Sequence, residues 1–335
     1  HSTSRRQRQM CIRDRYKIIE MKIKIKFTDF WPGFDDYHNS FIEVLERKYD
    51  VEISDEPDYL IFSIFGYDHL AYERCVKIFY VGENFTPDFN LCDYAIGFDI
   101  MEFNDRYLRL PLYVFYGIEE LATPKFLDID AVLNRNFCSF VVSNAGGSPE
   151  RNRFFHLLSE YKQVDSGGRF ENNIGGPVSD KKEFIKRYKF NIAFENSIRD
   201  GYTTEKIMEP MLVNSLPIYW GNKQVGLDFN RSSFIDASDY PSLEALVERI
   251  VELDINDDEY LSILSEPWLN TINYLDWKEK LLAFFDQIFS KPWNQQKYLV
   301  PYGYGNIYRN NLRLMIRNSK KKEAKRKYDP RYWFR

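Results

Sequence analysis

The sequence predicts an α/β protein built as two Rossmann-like domains facing each other across a cleft, with a basic C-terminal tail. Three observations predict it. Short apolar runs alternate with amphipathic stretches from Met21 onward. The pattern loosens over residues 119–136 and then restarts. The chain has 335 residues, enough for two domains. Strands alternating with helices make βαβ units and parallel sheets, and such sheets place ligands at the carboxyl ends of their strands.

The elements follow in order. Residues 22–27 read as a strand and 40–48 as a helix. The apolar runs 59–64, 77–81 and 94–98 are short enough to be buried strands. After the loose stretch, 139–143 reads as a strand, 150–162 as a helix, 181–188 as a helix and 191–194 as a strand. Residues 204–213 read as a helix and 216–219 as a strand, and 242–253, 258–265 and 277–289 form a run of helices. The expected division is an N-terminal domain at 21–133, a C-terminal domain at 134–292 and a basic aromatic tail at 293–335. Residues 1–20 lack periodicity and precede Met21, so they are expected to be a non-native leader outside the fold.

Composition narrows the class. Apolar residues make up 44% of the chain and aromatic residues 17%, which supports a large core and suits sugar-binding clefts. Cys11, Cys75, Cys92 and Cys138 show neither metal nor redox spacing, and a reduced cytoplasmic compartment is the simplest reading. No apolar run approaches the ~18 residues that span a bilayer. The net charge of −4 divides unevenly: residues 309–335 carry +9, residues 1–20 carry +4, and the body carries −17. An acidic body argues against nucleic-acid binding. The tail interleaves its cations with Leu312, Leu314, Met315, Ile316, Tyr332, Trp333 and Phe334. It reads equally as a peripheral contact with the anionic inner face of a membrane or as a solvated tail.

One segment carries chemistry. Residues 190–222, FNIAFENSIRDGYTTEKIMEPMLVNSLPIYWGN, read as strand, loop, helix and strand, with polar residues at the cleft end. Thr203 or Thr204 sits where a helix N-cap belongs, and Glu205 and Lys206 fall in the first turn. A lysine there opposes the helix dipole by about 0.3–1 kcal/mol. Beside free backbone N–H groups it makes a concentrated positive site suited to a diphosphate. The other reading is a first-turn acid, Glu205, beside a lysine that points to solvent.

These motifs resemble the α1,3/α1,4-fucosyltransferase family in its bacterial branch. FENS, then YTTEK, then PIYWG occur in the family's order and spacing. FYVGENFTPDFNLCDYAIGFD at 79–99, DRYLRLPLY at 105–113 and SNAGGSPERN at 143–152 extend the resemblance over residues 21–290. The resemblance implies a GT-B fold whose C-terminal half binds GDP-fucose and whose N-terminal half binds a glycan acceptor. It implies inverting transfer to the 3-hydroxyl of GlcNAc in N-acetyllactosamine-type acceptors, giving a Lewis X-type product. By match to the motifs, Arg151 and Lys206 hold the diphosphate, and Asn196, Tyr202 and Glu205 line the donor site. Glu205 lies near the fucose ring, and Glu83 is the general base. Fixed cations beside the diphosphate make a metal or other cofactor unnecessary.

Other residues keep blander readings. Glu195 is a second catalytic candidate, or else it ties the following loop. Gly168, within the pairs 146–147, 167–168 and 175–176, lets backbone approach a nucleotide or simply marks a turn. Asp128-Ile129-Asp130 mimics a metal-binding DxD but falls in the connecting stretch, so it reads as incidental. His38, His69 and His156 show no ligand spacing, and His1 lies in the leader. Two other functions stay open: a GT-B transferase for a different nucleotide sugar, and a glycan- or nucleotide-binding module without turnover.

Overall fold

The computed structural model describes residues 21–269 and 275–328, with side chains to residue 321 in its last helix. The leader, including Cys11, and the distal tail with Tyr332, Trp333 and Phe334 lie outside the described residues.

The first unit is a six-stranded sheet. It contains β1 (Lys22–Thr28), α1 (Ser40–Leu45), β2 (Asp50–Ile53), β3 (Tyr59–Phe62), β4 (Val76–Tyr80), β5 (Tyr94–Gly97) and β6 (Tyr107–Arg109). The strand order is β2-β1-β3-β4-β5-β6, parallel throughout. In β1, buried Ile23, Ile25 and Phe27 alternate with the less buried Lys24 and Lys26. Strands β3, β4 and β5 are buried along their whole length, as central parallel strands covered on both faces are.

A 3₁₀ turn (Leu112–Tyr116), α2 (Ile118–Leu121) and α3 (Ile129–Leu133) lead to the second unit. Asp128, the first acid of the Asp-Ile-Asp run, caps α3 by accepting from Ala131 N at 3.1 Å. The second unit contains β7 (Asn136–Phe140), α4 (Pro149–Tyr161), β8 (Val164–Ser166), α5 (Lys181–Ile185), β9 (Tyr188–Phe194), α6 (Glu205–Leu212), β10 (Leu216–Trp220), β11 (Ile235–Asp236), α7 (Leu243–Ile255) and α8 (Asp257–Ser265). Its sheet, β11-β10-β9-β7-β8, is also parallel throughout.

Differences from the sequence reading have local causes. β2, β6, β8 and β11 have two to four residues each and each includes a charged residue, so no apolar run marks them in the sequence. The charged run before β9 reads as helix to residue 188, yet α5 stops at Ile185 and Tyr188 already belongs to the strand. Lys189 is buried in that strand because its ammonium reaches Asp254 O at 3.2 Å and Asp257 Oδ1 at 3.4 Å.

The chain then returns to the first unit. α9 (Trp277–Phe289) buries Trp277, Leu281, Phe284, Phe285, Ile288 and Phe289. It lies beside α1, with Arg47–Glu279 at 2.7 Å, Lys48–Asp286 at 2.9 Å and Lys278–Glu43 at 2.5 Å. The last helix of the 134–292 segment thus packs on the first unit. α10 (Trp293–Gln296) and α11 (Gly303–Tyr328) follow. The tail is not simply solvated: Arg309 is buried and donates to Asn90 O and Val300 O, and Arg313 donates to Leu70 O at 2.9 Å and pairs with Glu73 at 3.1 Å. Tyr304, Ile307, Leu314 and Met315 stay exposed on α11. No described helix is long and apolar enough to cross a membrane.

Gly168 has a packing reason. A Cβ there would lie 1.9 Å from Val142 O, inside the backbone of the segment after β7. Gly168→Ala is expected to cost at least about 1–3 kcal/mol, as other overpacked sites do. Urea unfolding of the two proteins checks this; equal stability would mean that the close approach does not exist.

Candidate active site

The carboxyl ends of the strands supply the site. β4 runs through Val81 and Gly82 to Glu83, and β5 runs to Asp99. β9 runs to Glu195 and Asn196, and β10 to Gly221. Strands β9 and β10 pair in register to their last residues, Phe194 and Trp220, so these loops leave the sheet side by side.

Glu195 is fully buried. Its carboxylate accepts from Thr204 N at 2.7 Å and from Thr204 Oγ1 at 2.8 Å and 3.0 Å, and it pairs with Lys206 Nζ at 3.2 Å. Thr204 is also the N-cap of α6. Gly221 lies so close that a Cβ there would sit 2.6 Å from Glu195 Cγ. Glu195 thus ties the following loop, the second of the two roles open to it.

Lys206 does not point to solvent. Its ammonium contacts Glu195, donates to Thr204 Oγ1 at 3.0 Å and lies 3.7 Å from Glu205 Oε1. Burial opposes the charge, but Glu195 and Glu205 outweigh it and raise the lysine above its ordinary pKa. Burial likewise opposes ionisation of Glu205, yet Lys206 and Lys181 hold that carboxyl below its ordinary value. Both charges therefore persist at neutral pH.

Arg151 starts α4, whose N-cap is Ser148 with Pro149 at the first helical position. Its guanidinium donates to Asn196 Oδ1 at 2.7 Å and to Asn144 O at 2.5 Å. Its Nε is buried without a hydrogen-bond partner. A Cβ on Gly147 would lie 2.4 Å from the guanidinium, so the 144–147 loop covers this side chain closely. The structure brings Arg151 and Asn196 together but seals Arg151 beneath that loop. Burial lowers the arginine's pKa.

Tyr202 is buried edge-on against Phe98, with ring centroids 5.1 Å apart. Burial, then the charge on Glu195, raises its phenol well above the ordinary value. Glu83 is exposed on its loop, and among the described residues its carboxylate has neither a hydrogen bond nor an ion pair. The charges of Glu83 and Glu205 both reach Tyr116 and Tyr202, so the carboxylates approach the same space from opposite units.

Residues that the sequence reading missed hold the units together. Asn84 donates to Ser197 Oγ at 2.6 Å. Arg199 donates to Asn84 Oδ1 at 3.3 Å and to Thr86 Oγ1, and it pairs with Asp99 at 2.6 Å. Arg109 grips Asp228 with two bonds, at 2.9 Å and 2.8 Å. The available signal was position: Arg199 lies between the FENS and YTTEK motifs, and Asn84 lies beside Glu83. Among the described residues, no group of three or more His, Cys, Asp or Glu is placed to hold a metal ion. His69 instead pairs with Asp29 at 2.6 Å in a buried contact.

Two facing Rossmann-like units with a polar cleft at their strand ends define the GT-B class of glycosyltransferase folds. Residues 25–116 match the α-(1,3)-fucosyltransferase FucT N-terminal domain, and residues 134–295 match glycosyltransferase family 10 (fucosyltransferase), C-terminal. A crystal structure of an α1,3-fucosyltransferase with GDP-fucose superposes with a TM-score of 0.70 at 31% identity, covering 81% of this chain and 91% of that one. A second crystal structure of an α1,3-fucosyltransferase gives 0.71 at 32% identity, covering 81% and 90%. The Helicobacter pylori α-(1,3)-fucosyltransferase FucT is 33% identical over 79% of this chain and 66% of its own length. The chain therefore spans about two thirds of that curated relative. It belongs to glycosyltransferase family 10, the fucosyltransferases.

Two outcomes test the buried network. Glu195→Ala leaves Lys206 without its fully buried partner and is expected to cost about 3–5 kcal/mol in urea unfolding. A loss below about 1 kcal/mol, typical of an exposed pair, would contradict the network. Glu205 binds its proton more weakly folded than unfolded. Its contribution is present above the ordinary value of 4.5 and is lost as pH falls through the lowered folded value. Glu205→Gln is therefore expected to flatten the acid limb of a stability–pH curve; an unchanged limb would contradict this linkage.

Proposed function

We propose that this chain transfers L-fucose from GDP-β-L-fucose to a sugar hydroxyl, with inversion. The observation that carries the reading is convergence. Lys206 and the Arg151–Asn196 pair stand at the starts of two helices of one unit, and Glu83 stands free on the other. The solved α1,3-fucosyltransferase with GDP-fucose, similar over 81% of this chain, supports the donor assignment.

The chemistry is a single displacement. The acceptor oxygen bonds to the anomeric carbon of fucose while the bond from that carbon to the diphosphate oxygen breaks. Glu83 takes the hydroxyl proton, a role that typically contributes ~10²–10⁴-fold. Lys206 stabilises the departing GDP, and Glu205 stabilises positive charge on the sugar ring. Asn196 and Tyr202 line the donor side. Arg151 reaches the diphosphate when the 144–147 loop lifts; with the loop down, it positions Asn196. Fixed cations carry the leaving-group charge, so the reading requires no metal. The acceptor we propose is the GlcNAc 3-hydroxyl of an N-acetyllactosamine-type glycan, giving a Lewis X-type product. The three described cysteines are buried free thiols, which suits a reducing cytoplasm. The outward face of α11 is our candidate for peripheral contact with an anionic membrane surface.

Glu83→Gln is expected to lower transfer by ~10²–10⁴-fold while leaving GDP-fucose binding unchanged. A variant that transfers as well as the parent would remove Glu83 as the base. Thermal stabilisation by GDP-fucose should exceed that by GDP-mannose or UDP-sugars; an equal response would favour a different donor. A parent protein that binds donor but transfers to no acceptor would instead be a binding module. Linkage analysis of products from type 1 and type 2 acceptors then fixes the regiochemistry.

A further inference from the structure

Toward the amino end of β4, opposite the end that leads to Glu83, α11 and the segment before it line a half-open pocket of about 540 Å³. Four cations line it: Lys77, Lys297, Arg309 and Arg313. Lys77 lies in the central strand β4 and is only 3% exposed. Among the described residues its ammonium has neither a hydrogen bond nor an ion pair. Arg309, 6% exposed, spends its guanidinium on two backbone carbonyls. Lys297 donates to Glu73 O at 2.8 Å, again a carbonyl. Only Arg313 has a carboxylate, that of Glu73 at 3.1 Å.

The nearby Asp93 does not neutralise the group. One of its oxygens accepts from Tyr298 N at 2.6 Å and Leu299 N at 2.8 Å, and the other from Lys77 N at 2.9 Å. A buried cation without a partner is costly, and proteins ordinarily pair it. Here the Lys77 pKa is lowered to about 8, chiefly by burial; Arg313 and Arg309 contribute to the lowering, while Cys75 and Asp93 oppose it. The four cations against Glu73 and Asp93 leave a surplus of positive charge around a space large enough for a small ligand.

We propose that this cavity is a binding site for a compact phosphate-bearing anion, with Lys77 and Arg309 at its floor and Lys297 and Arg313 at its rim. A tetrahedral phosphate gives Lys77 its missing acceptor and satisfies several donors with charge-assisted bonds. It also links α11 to the first unit, because Arg309 and Arg313 come from the helix and Lys77 from the sheet. The phosphate belongs either to a free anion or to a lipid headgroup at a membrane surface. The site is separate from the donor cleft and does not depend on the proposed transfer reaction.

The test uses the full chain saturated with GDP, so that the donor cleft is already filled. Inorganic phosphate and pyrophosphate are titrated by calorimetry, and vesicles of phosphatidylcholine with and without phosphatidic acid are tested by co-sedimentation. Binding of a free anion, or of phosphatidic acid vesicles alone, is expected to fall at least about tenfold in Lys77→Met, the loss of one charge-assisted hydrogen bond. Lys77→Met should also melt higher than the parent in phosphate-free buffer, because it removes an unpaired buried cation. Lys297→Gln, at the rim, gives the same weakening if Lys77→Met fails to fold. Response to the free anions assigns a soluble ligand, and response to the vesicles alone assigns a headgroup. No binding of either kind overturns the proposal, and so does binding that both variants leave unchanged.

Discussion

The site depends on a carboxylate that has no access to water. Glu195 lies at the end of β9 with no exposed surface, and an ion in that position requires partners. Thr204 provides a backbone N–H and a hydroxyl, and Lys206 provides the charge. Meeting that requirement determines much else. Thr204 is held where it caps α6, so the helix starts at a fixed distance from the strand. Residue 221 must be glycine, because the Glu195 side chain occupies the space of a Cβ. Lys206 is drawn back over the first turn and kept cationic beside Glu205. The helix dipole makes that an unfavourable place for a lysine, by about 0.3–1 kcal/mol. The buried carboxylate offsets this and leaves a fixed positive charge at the cleft.

A second set of contacts holds the two units in register. Arg109 and Asp228 form a two-bond pair between them, and Asp228 is nearly inaccessible. Arg199 reaches across to Asp99, Asn84 and Thr86. α9 crosses back to pack beside α1, so the second half of the sequence completes the core of the first unit. The Glu83 loop is bound through its neighbour Asn84 to the loop that follows Glu195. Its position is therefore set by the opposite unit as much as by β4.

Most of the architecture was legible because continuous apolar runs mark buried strands and regular apolar faces mark helices. β3, β4, β5 and β9 are apolar throughout or nearly so, and α4, α7 and α9 carry regular buried faces. The edge strands β2, β8 and β11 were illegible because, unlike the short strands β3 and β5, they mix charged residues with apolar ones and form no apolar run. The end of α5 was misplaced because the buried Lys189 looks like a surface residue until Asp254 and Asp257 are seen around it. Thr204 and Lys206 were found by helix-start logic. The partner that gives both their meaning is Glu195, nine residues from Thr204 and eleven from Lys206, which sequence spacing alone left between two roles. Arg199 and Arg109 escaped entirely, since an ion pair between units separated by 100 residues or more has no local signature.

Three glutamates meet the site in three environments, and the environments separate their chemistry. Both oxygens of Glu195 already accept from Thr204 or Lys206, and none of its surface is exposed, so it has no free lone pair facing a substrate. Glu205 is held ionised by two lysines, which fixes its charge and makes it a weak proton acceptor. A proton acceptor for an acceptor hydroxyl needs an open oxygen and a position on the unit opposite the leaving group. Glu83 alone of the three combines exposure with freedom from side-chain partners among the described residues. The charges of both Glu83 and Glu205 are felt at Tyr116 and Tyr202. The proposal that Glu83 is the base draws support from its exposure, beside the motif that first pointed to it.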